Sequence, residues 1–199
     1  MSPAGLARFR LILWGLVVLA ALGATALFVF APPRNPANTG LGGGTYALTD
    51  AAGQPVDQTM LTGHPSLLFF GYTHCPDVCP TTMAEMADWF ERLGPDAKTL
   101  KAYFVTVDPE RDTAAVIGDY VGWTDGKVTG ITGTPEEIGK IVDAWKVLAE
   151  KVPGDGDAYT MNHTASVFLV NAEGGFEGTI AYGENADTAV AKIRKLVGA

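Results

Sequence analysis

The run Ser66–Tyr72, SLLFFGY, is apolar almost without interruption. A strand with one wet face alternates polar and apolar residues, so an unbroken run implies a strand covered on both faces. That demands helices above and below a sheet, and the chain supplies them. A helix is predicted from Pro80 to Leu93. Pro80 suits its first position, Met83, Met86, Ala87 and Phe90 recur at helical spacing, and Gly94-Pro95 stops it. Lys101–Asp108 predicts a second buried strand, and Asp112 is a good N-cap for a helix through DTAAVIGDYV. KVTGIT predicts a short strand. Thr134, Pro135 and two glutamates open a helix over TPEEIGKIVDAW. Thr164–Val170, TASVFLV, predicts a further buried strand with His163 at its start. The chain then turns at Gly174-Gly175, FEGTIAY returns antiparallel, and NADTAVAKIRKLV closes with a helix. Upstream, TYALTD and AAGQPVD predict a hairpin turned near Gly53.

The order is hairpin, β, α, β, α, short β, α, β, β, α, which implies an α/β layered domain with a mostly parallel centre. A cysteine motif between the first long strand and its helix, with a ββα ending, is the thioredoxin pattern. Residues 45–199 are expected to form that domain, and residues 32–44, rich in Pro, Gly and Asn, a flexible linker. Residues 1–31 are expected to be a cytoplasmic tip and a transmembrane anchor. Leu11–Ala31 has no charge and is long enough to cross roughly 30 Å of hydrocarbon. Arg8 and Arg10 precede it and Arg34 follows, which places the N-terminus in the cytoplasm and the domain outside. The run exceeds a signal-peptide core and ends in the bulky LFVFAPP, so it reads as uncleaved.

The net charge is −8, and with Arg8 and Arg10 ahead of the anchor the domain is more acidic still. This argues against nucleic acid, whose backbone requires a basic face.

The two cysteines of the chain, Cys75 and Cys79, lie in GYTHCPDVCPTT. A domain this large needs no disulfide staple. At the junction of a strand and a helix, the helix dipole is expected to lower thiol pKa. Three residues separate the pair, close to one helical turn, so both sulfurs can face one side. That permits a disulfide, and it permits two thiolates on one ion. Two thiolates are too few for a closed zinc site. They suit Cu(I) with an imidazole as third ligand, and the same donors can hold Cu(II). Three histidines compete. His64 sits in a turn and reads as an exposed loop residue. His74 adjoins Cys75, and adjacent side chains diverge. His163 is left open between ligand and satisfied polar residue.

Together GYTHCPDVCPTTMAEM, FVTVDPERDT and MNHTASVFLV resemble the Sco/SenC family of membrane-anchored, thioredoxin-like proteins for cytochrome c oxidase assembly. YALTDAAGQPVD is similar to that family's opening hairpin, so the resemblance runs from about Tyr46 to the C-terminus. It implies that Cys75, Cys79 and His163 are copper ligands. It also implies a client, the binuclear copper site of cytochrome c oxidase subunit II or another periplasmic copper protein, and a thiol reductant. The expected location is the inner membrane, as a single-pass protein with its domain in the periplasm. Family members act as copper donors, as reductants of the client's cysteines, or both. The alternative reading is therefore a thiol–disulfide oxidoreductase with Cys75 and Cys79 as the redox pair. A peroxide-reducing enzyme is a third reading, and it would need an activated low-pKa thiol.

Many members carry aspartate where this chain has Asn162; a carboxylate there would favour a cationic site and tune the imidazole. Asp77 is expected to cap the helix, and Asp108 and Pro109 to end a strand and shape a turn. Met83 and Met86 are expected in the core or at its rim, with Met161 open. Trp89, Trp123 and Trp145 are expected to pack. A mobile loop from Val152 to Asn162 would let His163 engage and release.

Overall fold

The computed structural model describes Arg10, residues 12–19, Gly23 and residues 40–199 except Asp157. The chain divides into two units, residues 1–35 and 36–199. In the first, residues 12–19 are helical and exposed. Among the described residues no helix is long and apolar enough to cross a membrane. The remainder of the expected anchor Leu11–Ala31, and residues 32–39 of the expected linker, lie outside the described residues. The end of that linker is part of the second unit: Gly42 N–H donates to Ala144 O at 2.8 Å, and Leu41 packs against the core.

The second unit is built on a seven-stranded sheet. Its strands are β1 (Ala47–Asp50), β2 (Pro55–Asp57), β3 (Ser66–Gly71), β4 (Lys101–Thr106), β5 (Thr129–Thr132), β8 (Val167–Val170) and β9 (Phe176–Ile180), in the order β2-β1-β5-β4-β3-β8-β9. The centre β5-β4-β3 is parallel, and β1, β8 and their outer neighbours run antiparallel. The helices are α1 (Val78–Leu93), α2 (Ala114–Val121), α3 (Pro135–Ala144) and α4 (Ala186–Val197). This is the expected thioredoxin-like α/β fold. Every residue of β3 is buried, as its unbroken apolar run requires. Phe69 stands beside Phe104 of β4 in register and Phe70 meets Phe168 edge-on at 5.8 Å. Each such side chain, fully buried, contributes about 1.5–3 kcal/mol. The opening hairpin closes at Gly53 (φ 78°), where Asp50 accepts hydrogen bonds from the N–H groups of Ala52 and Gln54.

The largest departure from the expected order is a second sheet. The segment expected as a loop over Val152–Asn162 is mostly paired: β6 (Ala149–Pro153) and β7 (Tyr159–His163) form a separate antiparallel hairpin. His163 ends β7 rather than starting the next strand, and β8 begins only at Val167. The reason is legible afterwards. Tyr159, Met161 and His163 are half-buried while Thr160 and Asn162 are exposed, a two-residue alternation too short and too polar to stand out.

Smaller corrections concern caps and packing. Helix α1 begins at Val78, two residues before Pro80, and Asp77 occupies the N-cap position without a side-chain cap bond. Thr113, not Asp112, caps α2, accepting from the Val116 N–H. Met83, Met86, Trp89 and Trp145 are buried, but Trp123 is 53% exposed and is not a packing residue.

Candidate metal centre

β3 ends at Gly71, and the chain reaches Cys75 before α1 begins. Gly71 is there for space: a Cβ at this position would lie 2.8 Å from Cys79 Sγ and 2.8 Å from the Phe104 ring. Cys79, in the first turn of α1, is fully buried, whereas Cys75 is partly exposed, and both are free thiols. The Cys79 N–H donates to Cys75 Sγ at 3.4 Å, so a helix-start amide that has no partner within the helix finds one in sulfur.

The expected lowering of thiol pKa by the helix dipole fails at Cys79. Burial pushes this thiol far up, and the neighbouring Cys75 sulfur pushes in the same direction. Desolvation outweighs the dipole here because no solvent reaches the sulfur. Cys79 therefore stays a neutral thiol until a cation or a base takes its proton.

His163 arrives from the other side on β7. Its Nδ1 lies 3.0 Å from the Thr164 carbonyl oxygen, which can only accept, so Nδ1 carries the proton. Nε2 is then a bare lone pair, 3.4 Å from Cys79 Sγ. Burial lowers the imidazole pKa, partly offset by the hydrogen bond to the Thr164 carbonyl, so the ring is neutral at pH 7. The edge-on rings of Tyr72 (5.8 Å) and Phe69 (6.2 Å) set its orientation. The two sulfurs and the imidazole nitrogen lie within 4.8 Å of one another.

The other histidines stay outside this group. His64 is half-buried rather than free in its loop, with Nδ1 3.0 Å from Ser66 Oγ. His74 is exposed beside Thr73, 3.8 Å from Asp112. Met161 faces the same side of β7 as His163, whereas Asn162 projects to solvent from the opposite face. Asn162 therefore does not hydrogen-bond the imidazole; Thr164 O does.

Two acids matter more than the sequence suggested. Asp112 is fully buried and accepts from Thr73 N (3.0 Å), Thr73 Oγ1 (2.6 Å) and Thr106 Oγ1 (2.7 Å). It ties the loop before Cys75 to the end of β4. A buried carboxylate needs such partners. Asp108, read as a turn former, is also buried and receives a hydrogen bond from the Tyr159 hydroxyl at 2.8 Å. The available signal was two acids four apart directly after an apolar strand, more than a turn and a cap require.

Residues 34–198 match the SCO1/SenC family. The chain is 31% identical over 172 residues to an SCO2-like protein of Rickettsia felis, a match covering 80% of this chain and 84% of that one. Its fold superposes on copper-bound ScoI of Bradyrhizobium japonicum with a TM-score of 0.72 and 40% identity, over 77% of this chain and 98% of that one. The fold alone is shared with BsSco, a member of the Sco family of cytochrome c oxidase assembly proteins in which a disulfide switch has been identified. There the identity is 20% and the TM-score 0.63, over 77% and 92% of the two chains. A match over most of its length, on a fold common to solved members, makes this chain a member of the SCO1/SenC family.

Proposed function

We propose that this protein is a copper chaperone that carries the ion on Cys75, Cys79 and His163 and delivers it to the binuclear copper site of cytochrome c oxidase subunit II. One observation carries the reading: two thiols and one bare imidazole nitrogen, from elements 84 residues apart, converge within 4.8 Å. Among the described residues no fourth His, Cys, Asp or Glu joins them. Such a set leaves coordination open, unlike structural zinc, and its softness favours Cu(I), with Cu(II) accessible to the same donors. Copper-bound ScoI, with which this chain shares its fold and 40% identity over 77% of its length, supports the choice of metal.

The chemistry follows from burial. Loading replaces the thiol protons by the cation, which stabilises both thiolates where water cannot. His163 Nε2 needs no deprotonation. Cys79 is sealed, so a client approaches past the partly exposed Cys75. Transfer is ligand exchange: a client thiolate forms a bond to copper as a bond from this chain breaks, and the released group regains its proton. No electron moves. In this reading the Leu11–Ala31 segment anchors the protein in the inner membrane, with its domain in the periplasm. A thiol reductant keeps the pair reduced.

The test is an anaerobic Cu(I) competition titration of the full chain in mild detergent. One equivalent should bind tightly, binding should vanish in Cys75→Ser/Cys79→Ser, and His163→Ala should weaken it about tenfold, about 1.4 kcal/mol. Binding indifferent to His163 would overturn the three-ligand site.

A second reading has its own observation, the asymmetry of the thiols. A partly exposed Cys75, in the loop just before the helix, can attack a client disulfide, and buried Cys79 can then displace the client from the mixed disulfide. The client gains two electrons, this pair becomes a disulfide, and the reductant restores it. Client reduction that is copper-free and unaffected by His163→Ala would favour this reading.

A further inference from the structure

We propose that Asp108, Arg111 and Tyr159 form a latch that positions His163, so that residues offering no ligand atom to the metal set the site's third donor; the inference rests on the copper reading above. The hairpin β6-β7 pairs with no strand of the main sheet. Two strands alone are marginally stable in water, so contacts beyond the hairpin must fix where His163 sits.

Those contacts converge on Tyr159, on the same face of β7 as His163 and four residues before it. The Tyr159 hydroxyl donates to Asp108 Oδ1 at 2.8 Å, and Arg111 Nε bonds the other oxygen of that buried carboxylate. Arg111 Nη1 donates to the Tyr159 carbonyl at 3.1 Å. The guanidinium lies over the Tyr159 ring at 3.6 Å, and Lys151 Nζ of β6 lies 3.8 Å from the same ring centre. Glu110 holds that lysine at 2.8 Å. Arg111 Nη2 is buried without a hydrogen-bond partner, as befits a guanidinium lying against rings. On its other side Arg111 approaches Tyr72, 5.8 Å from the ring centre. The Tyr72 ring orients His163.

Every one of these partners outside the hairpin, apart from Tyr72, belongs to the segment Asp108–Asp112 after β4. The last residue of that segment, Asp112, holds Thr73 on the cysteine side. One short stretch without a ligand thus touches both halves of the site. Loss of the latch leaves the thiols in place and frees the hairpin to carry Nε2 away from them.

The experiment uses the full chain with Tyr159→Ala and Tyr159→Phe, each alone and combined with His163→Ala. Cu(I) affinity and the imidazole 15N signals of His163 in metal-free protein are read. Tyr159→Ala should weaken Cu(I) about fivefold in the native background and not further in the His163→Ala background, with the metal-free His163 signal shifted or broadened. Tyr159→Phe keeps the ring stack and loses one hydrogen bond, so about a twofold effect is expected; it serves if Tyr159→Ala does not fold. Equal weakening in both backgrounds would mean a general structural role and overturn the latch, as would no weakening in either. If the native chain binds no Cu(I), or His163→Ala binds as tightly, the copper reading falls. The metal-free His163 signal then decides the latch by itself, and an unchanged signal overturns it.

Discussion

The two halves of the candidate metal centre are held by different physics. The cysteine side grows out of the most buried strand of the fold: β3 has no exposed residue, Gly71 makes room for Cys79, and Asp112 pins the intervening loop from below. The histidine side sits on a two-stranded hairpin outside the main sheet, with two exposed residues in the five of β7. Hydrophobic burial fixes the first side. A few directional polar contacts fix the second. The chaperone proposed above must hold an ion and then let it go, and this division would assign the holding to the core and the release to an element that can move without unfolding it.

The largest effect expected is on the cysteine side. Asp112→Ala leaves the Thr73 N–H, the Thr73 hydroxyl and the Thr106 hydroxyl without their acceptor, and should cost about 3 kcal/mol in urea unfolding. A cost below about 1 kcal/mol would mean the cysteine loop is not held as described. Gly71→Ala should cost about 2 kcal/mol by overpacking Cys79 and Phe104, and should weaken Cu(I) binding as well. Normal stability with normal copper affinity would break the picture of a rigid cysteine side.

The two sides should also titrate at opposite ends of the pH scale. Burial raises the Cys79 thiol, so its contribution to metal-free stability is present below the unfolded thiol value, about 8.5, and is lost as pH rises above it. Burial lowers His163, so its contribution is full above about 6.5 and is lost as pH falls through the lowered folded value. Urea midpoints against pH for the native chain, Cys79→Ser and His163→Ala should show the alkaline loss missing in the first variant and the acid loss reduced in the second. A shared profile would dissolve the distinction. The smallest effect is expected for Asn162→Asp. Its side chain projects away from the imidazole, so stability should change by less than about 0.5 kcal/mol. Copper affinity should stay within about twofold, or 0.4 kcal/mol. A larger gain in affinity would show that charge at this position reaches the site after all.

The places where sequence reading stopped follow the same division. The strands β3, β4 and β8 were legible because a doubly covered strand writes itself as an unbroken apolar run. The helices after them were legible through spacing, proline and caps, although α1 starts before its proline and α2 is capped by Thr113 rather than Asp112. The hairpin β6-β7 was not legible, because five-residue strands of mixed polarity carry no such pattern and are stabilised by Asp108 and Arg111 from about 50 residues away in sequence. The sign of the Cys79 shift was missed for a related reason. A helix start is a local feature, whereas the burial that overrides it is made by β3, Phe104 and the rest of the core.

What the sequence determined by itself is local and periodic: the alternation of buried strands and helices, the acidic surface, and two thiols one helical turn apart at a strand end. What only the tertiary structure decided is which distant groups meet. It brought His163 rather than His64 or His74 to the thiols, turned Asn162 outward, and made Asp108 and Asp112 supports rather than turn and cap. The physical reason is that hydrophobic periodicity is written along the chain. A directional contact between residues far apart in sequence is written only in the packing that brings them within bonding distance.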